Sequence, residues 1–374
     1  MQQGGILIID DNETNRDICS INLEDMRVPL HFAENGQQGL ELAIAVIPDL
    51  ILLDIMMPVM DGFEMLSRMK REETLSEIPV LMLSARSETD NVVKALELGA
   101  NDYLKKPFEA EEMVARVKTL LRSRYLEKQI KEDLVTGAAM QKKFLTDAMT
   151  ATSLLARTGM QSVIYNKPYG SISGDFYYAY SLPGNGSGIF LGDSCGHGLP
   201  AALISMRIIG FLQQTAKENL NPAKILTKLN NDLYGLLPPD KFVAGSCLAF
   251  SENTCTICSA AQPYPVLLTE RGLEEIKLDS PPLGMRPDSV YQERSIEMAH
   301  GNRLIIFTDG VIEATDWQEN LYGKKGLFDC LNVHTKTASL QDLKDIILDD
   351  LHRFSKNAPY DDDQTIILFQ RFRT

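Results

Sequence analysis

Positive charge is what this 374-residue chain is short of: 37 lysines and arginines against 51 aspartates and glutamates leave a formal net charge of −14. Broad nucleic-acid binding draws its affinity from cations that neutralise phosphates, so no nucleic-acid partner is expected. Clustered carboxylates suit divalent cations instead. Long apolar runs are lacking as well, and no stretch approaches the ~18–20 residues of a membrane span. The N-terminus, MQQGGILIIDD, has no basic flank followed by an apolar run and a small-residue cleavage site. No signal peptide and no membrane association are expected, and the expected location is cytoplasmic. Six scattered cysteines (Cys19, Cys195, Cys247, Cys255, Cys258, Cys330) include one CTIC pair without a second pair or a histidine at zinc spacing. Cys255 and Cys258 therefore read as reduced strand residues. Internal repeats and low-complexity tracts are lacking too.

Hydrophobic residues make up 44% of the chain and charged residues 24%, ordinary values for a soluble globular protein, and the length calls for two domains. From residue 5 to about 122, short β-like runs (ILIID, LHFA, LILLD, VLMLS, NDYL) alternate with segments of helical period at 15–25, 36–46, 91–98 and 110–124. That rhythm predicts β/α units around a parallel sheet. Residues 122–155 follow, with apolar residues at Leu126, Ile130, Leu134, Met140, Phe144 and Met149. They predict one or two linker helices whose apolar stripe packs on either domain or on a second copy of the chain. After about residue 160 the pattern changes to strands: SVIYNKP, DFYYAYSL, GSGIFLGD, GSCLAFSE, CTICSAA, YPVLLTE, NRLIIFTD and QTIILFQRF. Three helical segments, at 199–217, 222–236 and 340–353, interrupt them, so stacked sheets flanked by helices are expected.

Chemistry-bearing residues fall where strands end. In a doubly wound sheet the loops after the carboxyl ends of the strands form the working face. Asp10, Asp11, Asp54, Ser84 and Lys106 all lie at such ends. Three carboxylates together repel unless a cation neutralises them, and Mg²⁺ has the matching preference for oxygen. Asp54 then has the chemistry to accept a phosphoryl group as an acyl phosphate, with Lys106 and Ser84 bonding the new phosphate oxygens.

The motifs IIDDN, LLDIMMPVMDG, the pair Ser84-Ala85, and DYLKKPF resemble the receiver domain of two-component response regulators over about residues 4–122. The resemblance implies a doubly wound five-stranded parallel sheet, Asp54 as phosphoacceptor, and a Mg²⁺ pocket of Asp10, Asp11, Asp54 and the Met56 backbone oxygen. It also implies that Ser84 is the switch hydroxyl, Tyr103 the switch aromatic and Lys106 the phosphate-pairing lysine, preceding a cis proline bond, with a sensor histidine kinase as partner. Taken singly, Ser84 also reads as a turn residue, Tyr103 as a core aromatic, and Lys105 competes with Lys106 for the site.

A second constellation is SISGDFYY (Asp175), LGDSCGHGLPAAL (Asp193), IIFTDGVIEA (Asp309) and APYDDDQTIILF (Asp362, Asp363). Each aspartate sits at a strand end or beside glycine. Acidic residues with little histidine or cysteine select Mg²⁺ or Mn²⁺ over zinc. Two such ions would share a water and aim it at phosphorus without a protein nucleophile.

From about Gln141 onward the chain resembles the metal-dependent protein phosphatase 2C (PPM-type) family, in the bacterial branch that regulates sigma factors and sporulation. The resemblance implies an α+β domain with a central β-sandwich, binding two Mn²⁺ or Mg²⁺. It implies Asp193 bridging both ions, Asp175 and the Ser194 carbonyl serving the first, Asp309 and Asp362 the second, and Asp363 a supporting or alternative ligand. Tyr178 stands where many members carry an acidic residue. Cys195 stands where a small hydroxyl residue is frequent, so oxidative sensitivity is an expectation to test. His197 reads either as the group protonating the leaving serine oxygen or as part of a tight GHG turn.

The expected organisation is a receiver at 1–122, a helical linker and dimerisation element at 123–155, and a phosphatase domain at 156–374. The expected function is a response regulator in which Asp54 phosphorylation controls a serine/threonine phosphatase. Its expected substrate is a small phosphorylated regulatory protein such as an anti-sigma-factor antagonist. A second reading is a phosphorylation-controlled adaptor that binds such a partner without turnover.

Overall fold

The computed structural model describes residues 4–84, 89–170, 172–196, 198–334, 339–356 and 358–372. The chain divides into two compact units, the first ending at Glu132 and the second beginning at Asp133.

In the first unit, β1 (Ile6–Ile9), α1 (Glu13–Leu23), β2 (Leu30–Ala33), α2 (Gly36–Val46), β3 (Leu50–Asp54), α3 (Gly62–Met69), β4 (Val80–Ser84), α4 (Thr89–Glu97) and β5 (Asp102–Lys105) alternate, followed by α5 (Ala110–Phe144). The five strands form one parallel sheet in the order β2-β1-β3-β4-β5. Because side chains alternate across a strand, Ile6, Ile8, Leu50, Leu52, Leu81 and Leu83 meet Cys19 and Leu23 of α1 and Met113 and Val117 of α5 on one face. Leu7, Ile9, Ile51, Leu53, Val80 and Met82 meet Met65, Leu66 and Met69 of α3 on the other. Burial on both faces is why these strands read as continuous apolar runs. The helix α3 went unread, hidden between the methionine-rich loop and a charged segment, although Asp61 caps it by accepting from the Glu64 amide at 2.8 Å. The helix α1 starts at Glu13, because the Asn12 side chain accepts from the Thr14 amide and so fixes its entry.

The helix α5 is continuous for 35 residues and contributes to both units. On the first unit's side, Lys128 pairs with Asp49 at 2.8 Å and Lys131 with Glu77 at 2.9 Å. Leu126, Ile130, Met140 and Phe144 along it are exposed.

In the second unit, α6 (Ala148–Ala156), β6 (Met160–Lys167), β7 (Asp175–Ser181), β8 (Ser187–Ser194), α7 (Leu199–Thr215), α8 (Pro222–Leu233), β9 (Val243–Ser251), β10 (Thr254–Ala260), β11 (Val266–Thr269), β12 (Gly272–Glu275), β13 (Glu293–Glu297), β14 (Arg303–Phe307), α9 (Asp309–Ile312), α10 (Gly323–Val333), α11 (Leu340–Ser355) and β15 (Gln364–Arg371) follow in order. They build two antiparallel five-stranded sheets, β13-β10-β9-β8-β7 and β12-β11-β14-β15-β6. Their inner faces form one core, in which Leu191, Leu248 and Phe250 of the first sheet meet Leu304, Ile306, Ile367 and Phe369 of the second. The Phe250 and Phe369 rings lie 4.9 Å apart. The outer face of the first sheet is covered by α7 and α8, and that of the second by α10 and α11. Outermost in the first sheet, β7 has its Ala179 amide bonded to the Thr146 hydroxyl, from the connection between α5 and α6, at 3.3 Å.

All eight strands read from the sequence of this unit are present. The two unread ones, β12 and β13, are short, charged and outermost in their sheets, with Ile296 the one buried side chain between them. The helix α10 was also unread, since Gly323 and Gly326 weaken its local preference. Leu327, Cys330 and Leu331, buried against α11, supply the stabilisation instead. Cys255 and Cys258 lie on β10 as buried free thiols. No helix among the described residues is long and apolar enough to cross a membrane.

Candidate functional site

Each unit brings acidic side chains together at strand ends. In the first unit, β1 and β3 lie at the point where strand order reverses, which puts Asp10 and Asp54 side by side at the carboxyl end of the sheet. Asp10 is 1% exposed and Asp54 7%, and the carboxylates of Asp10, Asp11 and Asp54 lie within 4.8 Å of one another. Asp10 is oriented by the Asn12 amide (2.9 Å) and by the Asn15 side-chain amide (3.0 and 3.1 Å). Asp54 accepts from the Met56 amide at 3.1 Å. The Lys106 ammonium bridges Asp10 and Asp54.

Lys105 is exposed to solvent, whereas Lys106 is the lysine that reaches the two carboxylates. The Lys106–Pro107 peptide is cis. The Lys106 amide donates to the Ser84 carbonyl at 2.7 Å, so the buried Ser84 and the lysine share one end of the sheet. Tyr103 is half-buried on β5, packed against the α2–α3 face. Burial pushes the Asp54 carboxyl up, and Lys106 opposes this while Asp10 adds to it. Burial by itself would lower the Lys106 ammonium, but its bonds to Asp10 and Asp54 outweigh that and hold it above the ordinary value. A single ammonium faces three carboxylates here. That donor set, all oxygen and hard, fits Mg²⁺.

In the second unit, β7 and β8 place Asp175 directly opposite Asp193. Asp175 is 2% exposed, and one of its oxygens accepts from the hydroxyls of Thr308 and Thr365, each at 2.6 Å. These threonines adjoin the turns that carry Asp309 and Asp362–Asp363, so they tie the two sheets' acidic ends together. Asp363 has both oxygens engaged: one by the Tyr169 amide at 2.7 Å, the other by the Gly174 amide at 2.6 Å and the Asp175 amide at 3.3 Å. It braces the loop that leads into Asp175. The close packing demands glycine at two positions: a side chain at Gly174 would come within 2.9 Å of the Ser194 and Gly196 carbonyls, and one at Gly310 within 2.1 Å of the Asp363 carbonyl.

Burial pushes the Asp193 carboxyl up to about 9, with repulsion from Asp175, Asp309, Asp362 and Asp363 adding to it. Burial likewise takes Asp175 to about 8 against the pull of its two threonine hydroxyls. Asp362 is raised by burial and then by Asp309 and Asp363. The aspartates of the second unit are thus grouped tightly enough to repel one another. Among the described residues, however, only the first unit's trio brings ligand oxygens within 4.8 Å. No lysine or arginine among the described residues pairs with Asp175, Asp193, Asp309 or Asp362. Such a set of hard oxygen donors fits divalent cations. Ser194 bonds through its hydroxyl to the Gly174 carbonyl at 3.1 Å, and Cys195 is half-buried. His197 lies outside the described residues.

Gln141 was missed by the sequence reading, where it sat in the linker. It is 4% exposed, and its amide nitrogen donates to the Ser173 carbonyl (2.9 Å) and the Ser205 hydroxyl (3.0 Å). Thr308 and Thr365 were missed for a different reason: hydroxyl residues in strand-rich sequence carry no local sign of the aspartate they will meet. For Gln141 the only available signal was an uncharged polar residue followed by two exposed lysines.

The stage II sporulation protein E (SpoIIE) family model matches residues 183–372, just over half of the chain. The chain belongs to the SpoIIE family. Ahead of this SpoIIE, phosphatase-2C-like domain, residues 6–118 match the response regulator receiver domain. The receiver portion of this SpoIIE-family chain is 47% identical over 117 residues to the DNA-binding dual master transcriptional regulator RpaA of Synechocystis sp., covering 31% of this chain and 48% of that protein. It is 44% identical over 117 residues to the phosphate regulon transcriptional regulatory protein PhoB of Pseudomonas aeruginosa, covering 31% and 51%. The chain thus spans about half the length of the curated relatives it matches. The SiaA-PP2C domain of Pseudomonas aeruginosa shares the fold of the second unit, with a TM-score of 0.57 and 20% identity over 66% of this chain and 98% of that one.

Proposed function

We propose that this SpoIIE-family chain is a response regulator whose output is a metal-dependent serine/threonine protein phosphatase. The observation that carries the reading is the convergence of the second unit's aspartates: buried Asp175 faces half-buried Asp193 across β7 and β8, and Asp309, Asp362 and Asp363 lie near enough to repel Asp193, which burial and this repulsion push up to about 9. Keeping such a cluster is costly unless divalent cations neutralise it. Bound at Asp175, Asp193, the Ser194 carbonyl, Asp309 and Asp362, two Mn²⁺ or Mg²⁺ would supply charge neutralisation and an acidified water, as Mg²⁺ at Asp10, Asp11, Asp54 and the Met56 carbonyl would supply neutralisation in the receiver.

The chain's own residues then do the following. Thr308 and Thr365 fix the orientation of Asp175, and Asp363 holds the loop before it. In the receiver, Asp54 takes a phosphoryl group from a sensor histidine kinase as an acyl phosphate. Lys106, already bonded to Asp54, pairs with the new phosphate oxygens together with Ser84, and Tyr103 responds as the switch aromatic. Control by Asp54 phosphorylation passes through residues 123–155, whose exposed Leu126, Ile130 and Met140 favour a homodimer. The substrate is a phosphoserine or phosphothreonine on a small regulatory protein such as an anti-sigma-factor antagonist. The domain limits proposed are a receiver at 1–122, a linker at 123–155 and a phosphatase at 156–374, with the chain acting in the cytoplasm.

The test is hydrolysis of a phosphoserine peptide and of p-nitrophenyl phosphate in Mn²⁺, for the parent, Asp309→Asn and Asp54→Asn, each with and without beryllofluoride. The expected result is turnover that requires Asp309 and a beryllofluoride response that requires Asp54. Tight Mn²⁺ binding without turnover of either compound would refute the phosphatase reading and leave the adaptor.

A further inference from the structure

A second polar feature lies at the same end of the first sheet as Asp193, two strands away. Gly192 of β8, Gly245 of β9 and Ala260 of β10 sit side by side in register, so the residues after Ala260 emerge level with Asp193. Ala261 adopts φ +55°, a left-handed conformation sparsely populated by residues with a side chain. It delivers Gln262 into a cavity of about 600 Å³ lined also by Tyr264, Asp279, Ser280, Arg286 and Lys324. Gln262 is 6% exposed, and neither its amide nitrogen nor its amide oxygen has a hydrogen-bond partner among the described residues. The buried Ser280 hydroxyl is likewise unpaired among them.

The cavity wall is firmly built. Leu283 exchanges two backbone bonds with Val243, at 2.8 and 3.1 Å. The fully buried Asn230 of α8 holds the 284–286 turn through the Gly284 amide (2.9 Å) and the Arg286 carbonyl (2.8 Å). Asp279 is occupied by the Tyr264 hydroxyl, and Lys324 by Glu275 at 3.1 Å. The Arg286 guanidinium has no ion-pair or hydrogen-bond partner among the described residues and is exposed.

Resting on the phosphatase reading, we propose that this cavity is a subsite for the substrate peptide and reads an acidic residue close to the phosphorylated serine. The Gln262 side chain, donor and acceptor in one plane, matches a substrate peptide bond, and Arg286 pairs with the aspartate or glutamate carboxylate. Spacing sets the register. Val243 of β9 pairs with Ser194 of β8 on one side and Leu283 on the other, so the turn carrying Arg286 follows a position two strand separations of about 4.8 Å from β8. An extended peptide advances about 3.3 Å per residue, so the acidic residue lies about three positions from the phosphoserine. A cation here is selective in a chain of net charge −14, which otherwise repels acidic peptides.

The experiment compares fluorescein-labelled phosphoserine peptides bearing glutamate three residues before or three after the phosphoserine, each against its alanine counterpart. Binding is read by anisotropy and hydrolysis is recorded alongside, for the full chain and for Arg286→Gln and Gln262→Leu. The parent is expected to prefer one glutamate peptide by about tenfold, the size of a charge-assisted hydrogen bond, and both variants to lose most of that ratio. A ratio is not moved by general damage to the fold. No preference in the parent, or a preference surviving both substitutions, overturns the subsite. Preference in binding without hydrolysis keeps the subsite and sinks the phosphatase, whereas hydrolysis without preference does the reverse.

Discussion

Replacing Asp363 by asparagine sets two opposed effects against each other. The carboxylate accepts from three backbone amides, two of them at 2.6 and 2.7 Å, and these hold the loop that ends in Asp175. Asparagine keeps one acceptor oxygen but turns an NH₂ group toward an amide that must then go unpaired. Losing one charge-assisted bond and leaving its donor unsatisfied costs about 2–3 kcal/mol. On the other side, Asp363 adds to the repulsion that holds Asp175 and Asp193 above the ordinary carboxylate range, so removing its charge relieves the metal-free site once these two ionise, near pH 8 and 9. Bound cations cancel that relief but not the lost bonds. At pH 9 Asp363→Asn should therefore destabilise the Mn²⁺-loaded second unit by about 2 kcal/mol, roughly 4–8 °C in Tm for a unit of this size, and the metal-free unit by clearly less. By linkage the difference appears as weaker Mn²⁺ affinity. Calorimetric melting with and without Mn²⁺, together with titration of Mn²⁺ into parent and variant, measures both arms. Equal shifts in the two melts with unchanged affinity would refute the reasoning.

Three further outcomes are expected. Asp175 and Asp193 ionise in the folded, metal-free chain only near 8 and 9, against an ordinary value of 3.8. The stability they lend is complete below about pH 4 and is lost as pH rises through their folded values; melting across pH 5–10 should show this slope in the parent and a shallower one in Asp193→Asn. Gln141→Leu orphans the Ser173 carbonyl beside the Asp175 loop and should cost about 1–3 kcal/mol in urea unfolding, with weakened Mn²⁺ binding that Gln141→Glu does not restore, since an ionised carboxylate at that position has no hydrogen to donate. Phe369→Ala, at the contact between the two sheets, should cost about 3–5 kcal/mol, and a loss under about 1 kcal/mol would deny that those sheets share one core.

The receiver's strands and its acidic trio were legible because Asp10, Asp11 and Asp54 fall where apolar strand sequence gives way to acidic residues. Eight strands of the second unit were equally plain, since both sheets bury their inner faces in one core and their outer faces under helices. Legibility failed where tertiary contact replaces local pattern. The charged strands β12 and β13 take their conformation from a neighbour, and α10 takes its from α11. The groups that hold the acidic loop reach it from far along the chain: Asp363 bonds Gly174 across 189 residues and Thr365 bonds Asp175 across 190, pairings that no periodicity announces.

The bond between Thr146 and the Ala179 amide has a bearing on solubility. An outermost strand with free amides is a template on which another chain can add a strand, and β7, with its aromatic run DFYYAYS, is well suited to such growth. The short connection between α5 and α6 blocks part of that template, and Asp363 blocks more of it at the Asp175 amide. Substitutions that pull the connection away from β7 would therefore promote aggregation through the same strand that presents Asp175, so loss of solubility and loss of metal binding should travel together in this part of the molecule.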